Sequence, residues 1–340
     1  MVKVTVVIPN YNHSDYLIQR IDSVLNQTFQ DFEVLIFDDA STDRSLDILN
    51  TYKTHPKVSQ LIVNPKNSGS PFIQWRKGIE LAKGEFVWIA ETDDFAEPNF
   101  LEETVNILIS NPESSLVYTD ARIVDEKGFS LGFWSESKNL FFETERWSKN
   151  YHAKGIDEII NYLFYKVTIN NASSVLFKSK YLKEPQFLNQ LLKFKNVGDL
   201  FTYLKMSLNG NISYFHLPLN NYRKHSQNVT LKNKKNGIIY KERLQCYLHI
   251  MEEMEFSNQS IFKDKSLKKP FRFIIKKNVF QTINFNHSQI LINFVTTLNF
   301  YKIISKVELI SYIVLFKLYK WNHLKSKQIS RRLIKLMTNR

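Results

Sequence analysis

The sequence contains only one cysteine, Cys246, among 340 residues. A single thiol cannot form an internal disulfide or a zinc site built from several cysteines, and its scarcity fits a reducing compartment. Glycine and proline are also sparse, at nine residues each. No internal repeat and no low-complexity segment is visible, so the strands, helices and motifs have to carry the interpretation.

Long apolar runs are absent as well. No stretch of about 18 uncharged apolar residues occurs, which argues against a membrane-spanning helix. The longest candidate, residues 309–316, is bounded by Glu308 and Lys317. The N-terminus has the pattern of a strand and lacks the apolar core of a signal peptide. We therefore expect a cytoplasmic protein, or one attached peripherally to the cytoplasmic face of a membrane.

The residues that are present suffice for a folded core. Hydrophobic residues make up 43% of the chain and aromatic residues 14%, which is not a disordered composition. Basic charge is concentrated at one end, because residues 231–340 hold 22 Lys and Arg against 6 Asp and Glu, whereas residues 1–230 hold 24 against 27. This asymmetry predicts two regions, 1–230 and 231–340, with different partners.

In the first region, short apolar strands alternate with amphipathic helices. We predict strands at 4–9, 32–39, 58–63 and 85–90, and helices at about 14–26, 41–52 and 71–83, capped by Ser14 or Asp15 and by Ser41–Asp43. The alternation predicts an α/β fold with a mostly parallel sheet and helices on both faces. After about residue 115 we recognise only short segments and a helix at 198–208. Beyond Thr230 we predict amphipathic basic helices at 238–256, 271–283 and 302–337.

Carboxylates gather where the predicted strands end. Asp38 and Asp39 follow the second strand, and the segment Glu91-Thr92-Asp93-Asp94 follows the fourth. In parallel sheets, ligands bind beyond the carboxyl ends of the strands. No G-x-G-x-x-G or P-loop motif follows the first strand, which argues against a dinucleotide or P-loop site. Carboxylates repel a diphosphate unless a divalent cation bridges the two, so this pattern predicts a metal ion together with a nucleotide.

Four segments, taken in order and spacing, resemble the family 2 glycosyltransferases. They are VVIPNYNHSDYL, QTFQDFEVLIFDDASTDRS, KGIELAKGEFVWIAETDD and YRKHSQN. The resemblance covers roughly residues 2–230. It implies the GT-A fold and an enzyme that transfers a sugar from a nucleotide-sugar donor with inversion, normally with Mg²⁺ or Mn²⁺ as cofactor.

The resemblance implies a role for several residues on the nucleotide side. Pro9 and Tyr11 would line the base pocket, with Tyr11 stacking near uracil. Asp39 would accept the N3–H of the pyrimidine, and Asp38 is its neighbour in the same DDAS motif. Arg76 is a candidate for the diphosphate, although it stands one position away from the arginine that many members carry before the helical glycine. Whether Arg76 reaches the diphosphate stays open.

The resemblance also implies a metal site and a base. Asp93 would contact the ribose and lie at the metal, Asp94 would hold the metal, and His225 would approach the metal and the diphosphate. Asp199 falls at the position of the general base, just before a helix. Glu91 replaces the aspartate that the family often has at the start of its acidic motif, so its contact with the metal is open.

Each of these residues has a structural alternative. Asp38 and Asp39 could belong to a turn, Asp199 could be a helix cap, and His225 could be a surface histidine. The acidic segment could be a solvated strand end. We interpret the four other histidines that we considered as structural: His13, His55, His152 and His216.

The basic C-terminal segment has two interpretations. Residues 263–340 carry 17 Lys and Arg against two acidic residues, interleaved with apolar side chains. Docking on an anionic membrane would suit an acceptor that is a lipid-linked saccharide. Alternatively, these helices pack on the catalytic domain or on another subunit, as in a homo-oligomer. No recognised motif supports nucleic-acid binding.

Three hypotheses for the function result. The leading one is an inverting, non-processive glycosyltransferase of the hexosyltransferase type that acts in cell-surface polysaccharide biosynthesis, with a UDP-linked donor and a glycan or lipid-linked acceptor. A sugar nucleotidyltransferase is the second, but the glycine-rich basic loop usual after its first strand is missing. The third is a non-enzymatic, membrane-associated protein that has kept the fold.

Overall fold

The computed structural model describes residues 2–225, 238–257, 270–274, 288–300, 304–306, 308–310 and 312–313. The chain divides into two compact units. The first consists of Met1–Glu158 and Thr168–Asn228, and the second of Ile159–Val167 and Val229–Arg340. Sequence patterns alone did not point to residues 159–167 as part of the second unit.

The first unit begins with the predicted alternation of strands and helices. Its elements up to residue 110 are β1 (Val4–Asn10), α1 (Ser14–Leu25), β2 (Phe32–Asp38), α2 (Ser45–Tyr52), β3 (Val58–Val63), α3 (Pro71–Leu81), β4 (Phe86–Ile89), β5 (Phe95–Ala96) and α4 (Phe100–Ser110). After α4 follow β6 (Ser114–Val124), β7 (Ser130–Phe133), α5 (Trp134–Phe142), β8 (Tyr151–Ala153), α6 (Gly155–Glu158), β9 (Val175–Lys178), α7 (Ser179–Leu182), α8 (Pro185–Leu191), α9 (Gly198–Asn209) and β10 (Asn211–Arg223).

The described strands of this unit form one mixed sheet. Its order is β3-β2-β1-β4-β9-β6-β10-β5, with β7 paired to β6 and β8 paired to β10. β1 pairs in parallel with β2 and β4, and β2 pairs in parallel with β3, whereas β9 runs antiparallel to both β4 and β6. The predicted α/β class is confirmed, and the strands that carry the predicted site, β1, β2 and β4, are parallel neighbours whose carboxyl ends meet at one edge.

Alternate residues of β1 explain why helices cover both faces of the sheet. Side chains along a strand point to opposite faces in turn. Val6 and Ile8 belong to a buried cluster that includes Ile21 of α1. Val7 faces the other side, where α3 approaches so closely that a Cβ on Gly78 would lie 2.4 Å from a Val7 methyl group.

The first two helices begin differently from the prediction. α1 starts at Ser14 with His13 at the N-cap position and without a side-chain cap. The backbone N–H of Ser14 instead donates to Asp43, at 2.9 Å. α2 starts at Ser45, later than predicted, because the other oxygen of Asp43 accepts the backbone N–H of Ser45, also at 2.9 Å. Asp43 therefore joins the loop before α2 to the start of α1.

The second unit contains α10 (Ile238–Ser257) and α11 (Ser288–Phe300), and residues 270–274 are also helical. The predicted helix at 238–256 is confirmed by α10. The buried Phe164 ring packs at 5.5 Å from Tyr247 and at 5.0 Å from Phe271, measured between ring centroids, which explains why residues 159–167 belong to this unit. Most of the predicted helices at 271–283 and 302–337 lie outside the described residues. Within the described part of the chain, no helix has the length and apolar character needed to cross a membrane.

Replacing Gly84 by Ala is expected to lower the free energy of unfolding by about 1–3 kcal/mol. Gly84 precedes β4, and a Cβ there would lie 2.5 Å from the backbone nitrogen of Thr5 and 2.7 Å from the carbonyl carbon of Val4. Backbone atoms of a central strand cannot move aside without disturbing the sheet. Urea unfolding measures the loss. Lys83→Ala, at the exposed neighbouring position, should change the free energy by less than about 0.5 kcal/mol, and an equally small effect of Gly84→Ala would contradict this prediction.

Candidate active site

Three carboxylates stand just beyond the end of β4: Glu91, Asp93 and Asp94, which we call the acidic corner. The side chain of Asp94 is buried, and its two oxygens accept hydrogen bonds from Nδ2 of Asn171 at 2.7 Å and from the backbone N–H of Arg223 at 3.0 Å. The backbone carbonyl of Asp93 accepts a third bond, from Nε of Arg223, at 3.0 Å. The loop before β9 and the end of β10 therefore fix the acidic corner.

Two buried arginines lie beside the acidic corner. Arg20 of α1 is 0% exposed and donates from Nε to the backbone carbonyl of Glu91, at 2.8 Å. The guanidinium of Arg223 donates to Gln19 at 2.6 Å and lies 4.8 Å from the centroid of the Tyr16 ring. Positive charges held in these positions offset part of the repulsion between the three carboxylates.

The carboxyl groups of the corner differ in their pKa. Burial raises the pKa of Glu91 well above its ordinary value, and the charges of Asp93, Asp94 and Asp199 raise it further. Burial and the charge of Asp93 raise the pKa of Asp94 to about 6. Burial also acts to raise the pKa of Asp93, but the hydrogen bond from His225 and nearby positive charge outweigh it, so this pKa is lowered. Asp93 is therefore the carboxylate of the corner with the strongest preference for the ionised form.

Asp199 acts electrostatically on the acidic corner. It is the second residue of α9, and its Oδ1 accepts the backbone N–H of Leu200 at 2.7 Å. Its charge raises the pKa of Glu91, as stated above. Burial, followed by the charges of Asp199, Glu91 and Asp94, also raises the pKa of Tyr203, which is one turn further along α9. The predicted base and carboxylates of the acidic corner thus both raise the pKa of Glu91 and of Tyr203.

Asp38 closes the turn that follows β2. It accepts hydrogen bonds from Nδ2 of Asn10 at 2.8 Å, from the hydroxyl of Ser41 at 2.6 Å and from the backbone N–H of Ser41 at 2.9 Å. These bonds hold Ala40 at a φ of 59°, in the left-handed region that residues other than glycine seldom adopt. The structural interpretation of Asp38 as a turn residue is therefore supported, and its side chain acts by shaping the loop.

Asp39 binds the loop that follows β3. Its carboxylate accepts bonds from Nδ2 of Asn64 at 2.6 Å, and from the hydroxyl and backbone N–H of Ser68 at 2.8 and 3.0 Å. Asn64 in turn accepts a bond from Nζ of Lys77, at 2.7 Å. Asp39 is thus positioned beyond the carboxyl end of β2, and its predicted contact with a nucleobase stays a prediction.

The remaining predicted nucleotide contacts differ in exposure. Pro9 is buried in β1, whereas the Tyr11 side chain, two residues later, is 43% exposed at the same edge of the sheet. Arg76 on α3 forms an ion pair with Glu80, at 2.8 Å. Its guanidinium is therefore already engaged by a neighbour on its own helix, and a contact with a diphosphate would have to compete with this pair.

Among the described residues, one group of three side chains could hold a metal ion: His13, Asp93 and His225. The ligand atoms that they offer all lie within 4.8 Å of one another. Nε2 of His225 is 3.1 Å from Oδ2 of Asp93. Asp94, which we predicted as a metal ligand, is not in this group, because its oxygens face Asn171 and the backbone of Arg223; its assignment to the metal stays a prediction.

Sequence reasoning missed several residues that build the site. Arg20 carried a usable signal, because it occupies the apolar stripe of α1 where a charge is unexpected. Asn171 and Ser173 carried none, since they contact the acidic corner only after the loop before β9 has folded against it. His13, which we predict to be structural, stands directly before α1 in the first motif.

Comparison with known proteins assigns the family. Residues 5–184 match the model of glycosyl transferase family 2. The chain belongs to this family. The poly(ribitol-phosphate) beta-glucosyltransferase of Bacillus spizizenii is 33% identical over 137 residues, which are 40% of this chain and 22% of that protein. The chondroitin synthase of Pasteurella multocida is 27% identical over 241 residues, which are 69% of this chain and 22% of that protein. The chain thus spans only about a fifth of the length of these curated relatives.

Solved structures of Staphylococcus aureus TarS share the fold. One TarS structure superposes with a TM-score of 0.58 at 17% identity, covering 98% of this chain and 55% of that chain. The structure of TarS residues 1–349 in complex with UDP-GlcNAc superposes with a TM-score of 0.56, also at 17% identity, covering 88% of this chain and 91% of that chain. This likeness confirms the predicted GT-A fold.

Proposed function

We propose that this glycosyl transferase family 2 member transfers a sugar from a UDP-linked donor to a glycan or lipid-linked acceptor, with inversion and without processive elongation, in cell-surface polysaccharide biosynthesis. The family match supports the proposal, and so does the electrostatic coupling of Asp199 to the acidic corner, since its charge acts to raise the pKa of Glu91 together with those of Asp93 and Asp94. A base and a group of carboxylates that share a site suit a displacement in which a diphosphate leaves and a hydroxyl attacks.

The proposed donor site lies at the carboxyl ends of β1 and β2. Tyr11 would stack on the base and Pro9 would line the pocket, while Asp39 would accept the N3–H of uracil. Asp38 would hold the loop in shape, and Arg76 would exchange its partner for the diphosphate. The relative TarS has been crystallised with UDP and with UDP-GlcNAc, which supports a UDP-linked donor.

The residues at the acidic corner fit a divalent cation. Asp93 and His225 would hold it, and their facing atoms are 3.1 Å apart. Bound Mg²⁺ or Mn²⁺ would stabilise the negative charge of the leaving diphosphate as a Lewis acid. Asp93 could also reach the ribose, as the family resemblance implies.

The proposed chemical step is a single in-line displacement. Asp199 accepts the proton of the acceptor hydroxyl while that oxygen forms a bond to the anomeric carbon of the sugar. The bond between the anomeric carbon and the diphosphate oxygen breaks on the opposite face, so the configuration is inverted and UDP departs with the bonding electron pair. Asp199 is half-buried at the start of a helix, where the backbone N–H of Leu200 orients its carboxylate.

Titration with UDP and Mn²⁺ is expected to raise the stability of the protein. A ligand at one hundred times its dissociation constant adds about 2.7 kcal/mol to the free energy of unfolding. The measurement is the thermal midpoint with UDP, with Mn²⁺ and with both, and the increase should be largest with both because each ligand binds beside the other.

Asp93→Asn should abolish the extra stabilisation by Mn²⁺, whereas Asp157→Asn, at an exposed position in α6, should retain it. If neither UDP nor any other nucleoside diphosphate changed the thermal midpoint of the wild type, the proposed function would be wrong.

The predicted docking of the basic segment on an anionic membrane falls mainly on residues outside the described ranges and stays a prediction.

A further inference from the structure

The three side chains of the candidate metal group come from three separate places at one edge of the sheet. Asp93 follows β4, His225 follows β10, and His13 stands in the loop between β1 and α1. The family resemblance implied metal roles for Asp93 and His225, whereas His13 had no assigned role. The question is therefore whether His13 is a neighbour of the metal site or one of its ligands.

The contact between His13 and Thr92 suits a lone pair on Nε2 of His13. Nδ1 of His13 is 2.7 Å from the hydroxyl of Thr92, and this hydroxyl donates to the backbone carbonyl of Pro9, at 3.4 Å. In the tautomer that carries its proton on Nδ1, this N–H donates to the Thr92 hydroxyl. Nε2 of His13 is then left unprotonated. Metal-binding histidines are typically oriented in this way, with the remote ring nitrogen donating to an outer partner.

Both imidazoles are held by packing before any ion binds. The ring centroids of His13 and His225 are 5.9 Å apart, with the planes at 87°. The Tyr16 ring contacts both, at 6.2 Å from His13 and 5.6 Å from His225. Arg223 holds Tyr16 from its other side by a cation–π contact at 4.8 Å. The group is thus rigidly supported, as a selective ligand set requires.

We propose that His13 is a ligand of the cation through Nε2, so that the protein provides two imidazole nitrogens and one carboxylate, and that this donor set makes the site select Mn²⁺ over Mg²⁺. The inference rests on the proposed function, whose cation it specifies. Mg²⁺ prefers oxygen ligands and is usually held through carboxylates, phosphate and water. Imidazole is a ligand of first-row transition metals, among which Mn²⁺ binds most weakly, whereas Mg²⁺ is held by oxygen ligands.

His13→Asn tests the role of Nε2, because the asparagine amide can still donate to Thr92 in place of Nδ1. We expect Mn²⁺ affinity, measured by the electron paramagnetic resonance of free Mn²⁺, to fall at least about tenfold, with a smaller change in Mg²⁺ affinity measured by competition. Thr92→Val removes the outer partner and should weaken Mn²⁺ binding by about 10- to 100-fold. His216→Gln, at an exposed histidine elsewhere in the unit, should leave both affinities unchanged.

Pulsed electron paramagnetic resonance of Mn²⁺ bound to the wild type counts the coordinated nitrogens without any substitution. Coupling to two imidazoles, reduced to one in His13→Asn, would support the inference. Coupling to one imidazole in the wild type, or wild-type Mn²⁺ affinity in His13→Asn, would overturn it. UDP binding is measured on the same samples at saturating Mn²⁺, so a protein that binds Mn²⁺ through both histidines but binds no nucleotide would contradict the proposed function and not the ligand assignment.

Discussion

Asp199→Asn is expected to lower kcat by about 100- to 10,000-fold, which is the usual contribution of a general base. The asparagine keeps an oxygen that can accept the backbone N–H of Leu200, as Oδ1 of Asp199 does at 2.7 Å, so the start of α9 should remain intact. What it loses is the ability to accept a proton from the acceptor hydroxyl. The measurement is the rate of sugar transfer with saturating donor and acceptor, together with the dissociation constant of UDP.

The two measurements separate a base from a structural residue. A base lowers kcat when it is removed, but UDP affinity stays within about twofold of the wild type, because the base acts only in the transition state. Asp157→Asn again serves as the matched control and should change neither quantity. A turnover of Asp199→Asn close to that of the wild type would refute the assignment, whereas a parallel loss of UDP binding would indicate that Asp199 supports the fold of the site.

The part of the fold that positions the site could be predicted because its signals are local. β1 and β2 are mostly apolar, and every residue of both strands is buried, so their composition predicted central strands. The carboxylates at their ends could be placed together because parallel neighbours end at the same edge. The prediction of Asp39, Asp93 and Asp94 at one edge needed no knowledge of tertiary contacts.

The second half of the first unit was harder to predict because its strands are irregular. β10 runs from Asn211 to Arg223, and its pairing with β6 shifts register between Phe215 and Pro218 and again between Pro218 and Asn220. Such bulges interrupt the alternation by which a strand is recognised. The consequence for the site is direct, since β10 carries Arg223 to the acidic corner.

The acidic corner was only partly predictable, because the positive groups that offset its charge come from residues distant in sequence. The carboxylates are visible in the sequence, but Arg20 meets the Glu91 carbonyl across 71 residues, and Arg223 meets Asp94 across 129 residues. The same holds for His13, whose role depends on its contact with Thr92, 79 residues away. Sequence patterns identify the carboxylates whose charge must be offset, and only the fold shows which distant positive and polar groups lie beside them.

The second large effect is expected from Arg20→Met, which should lower the free energy of unfolding by about 3–5 kcal/mol at pH 7. Arg20 is fully buried, and although burial lowers its pKa to about 10, it remains charged at neutral pH. Methionine fills a similar volume, but the Glu91 carbonyl loses a donor at 2.8 Å and the acidic corner loses the nearby positive charge. Urea unfolding without metal measures the loss, and Arg44→Met, at an exposed position before α2, should cost less than about 0.5 kcal/mol.

A double substitution decides whether the loss comes from charge. In the Asp93→Asn background the corner carries one ionised carboxylate fewer, so Arg20→Met should cost less than it does in the wild type, and the difference is the coupling between the two residues. Mn²⁺ should also recover part of the stability of Arg20→Met, because a bound cation supplies positive charge beside the same carboxylates. If the cost of Arg20→Met were the same in both backgrounds and insensitive to Mn²⁺, Arg20 would stabilise the fold by packing over Trp88 and not by balancing the acidic corner.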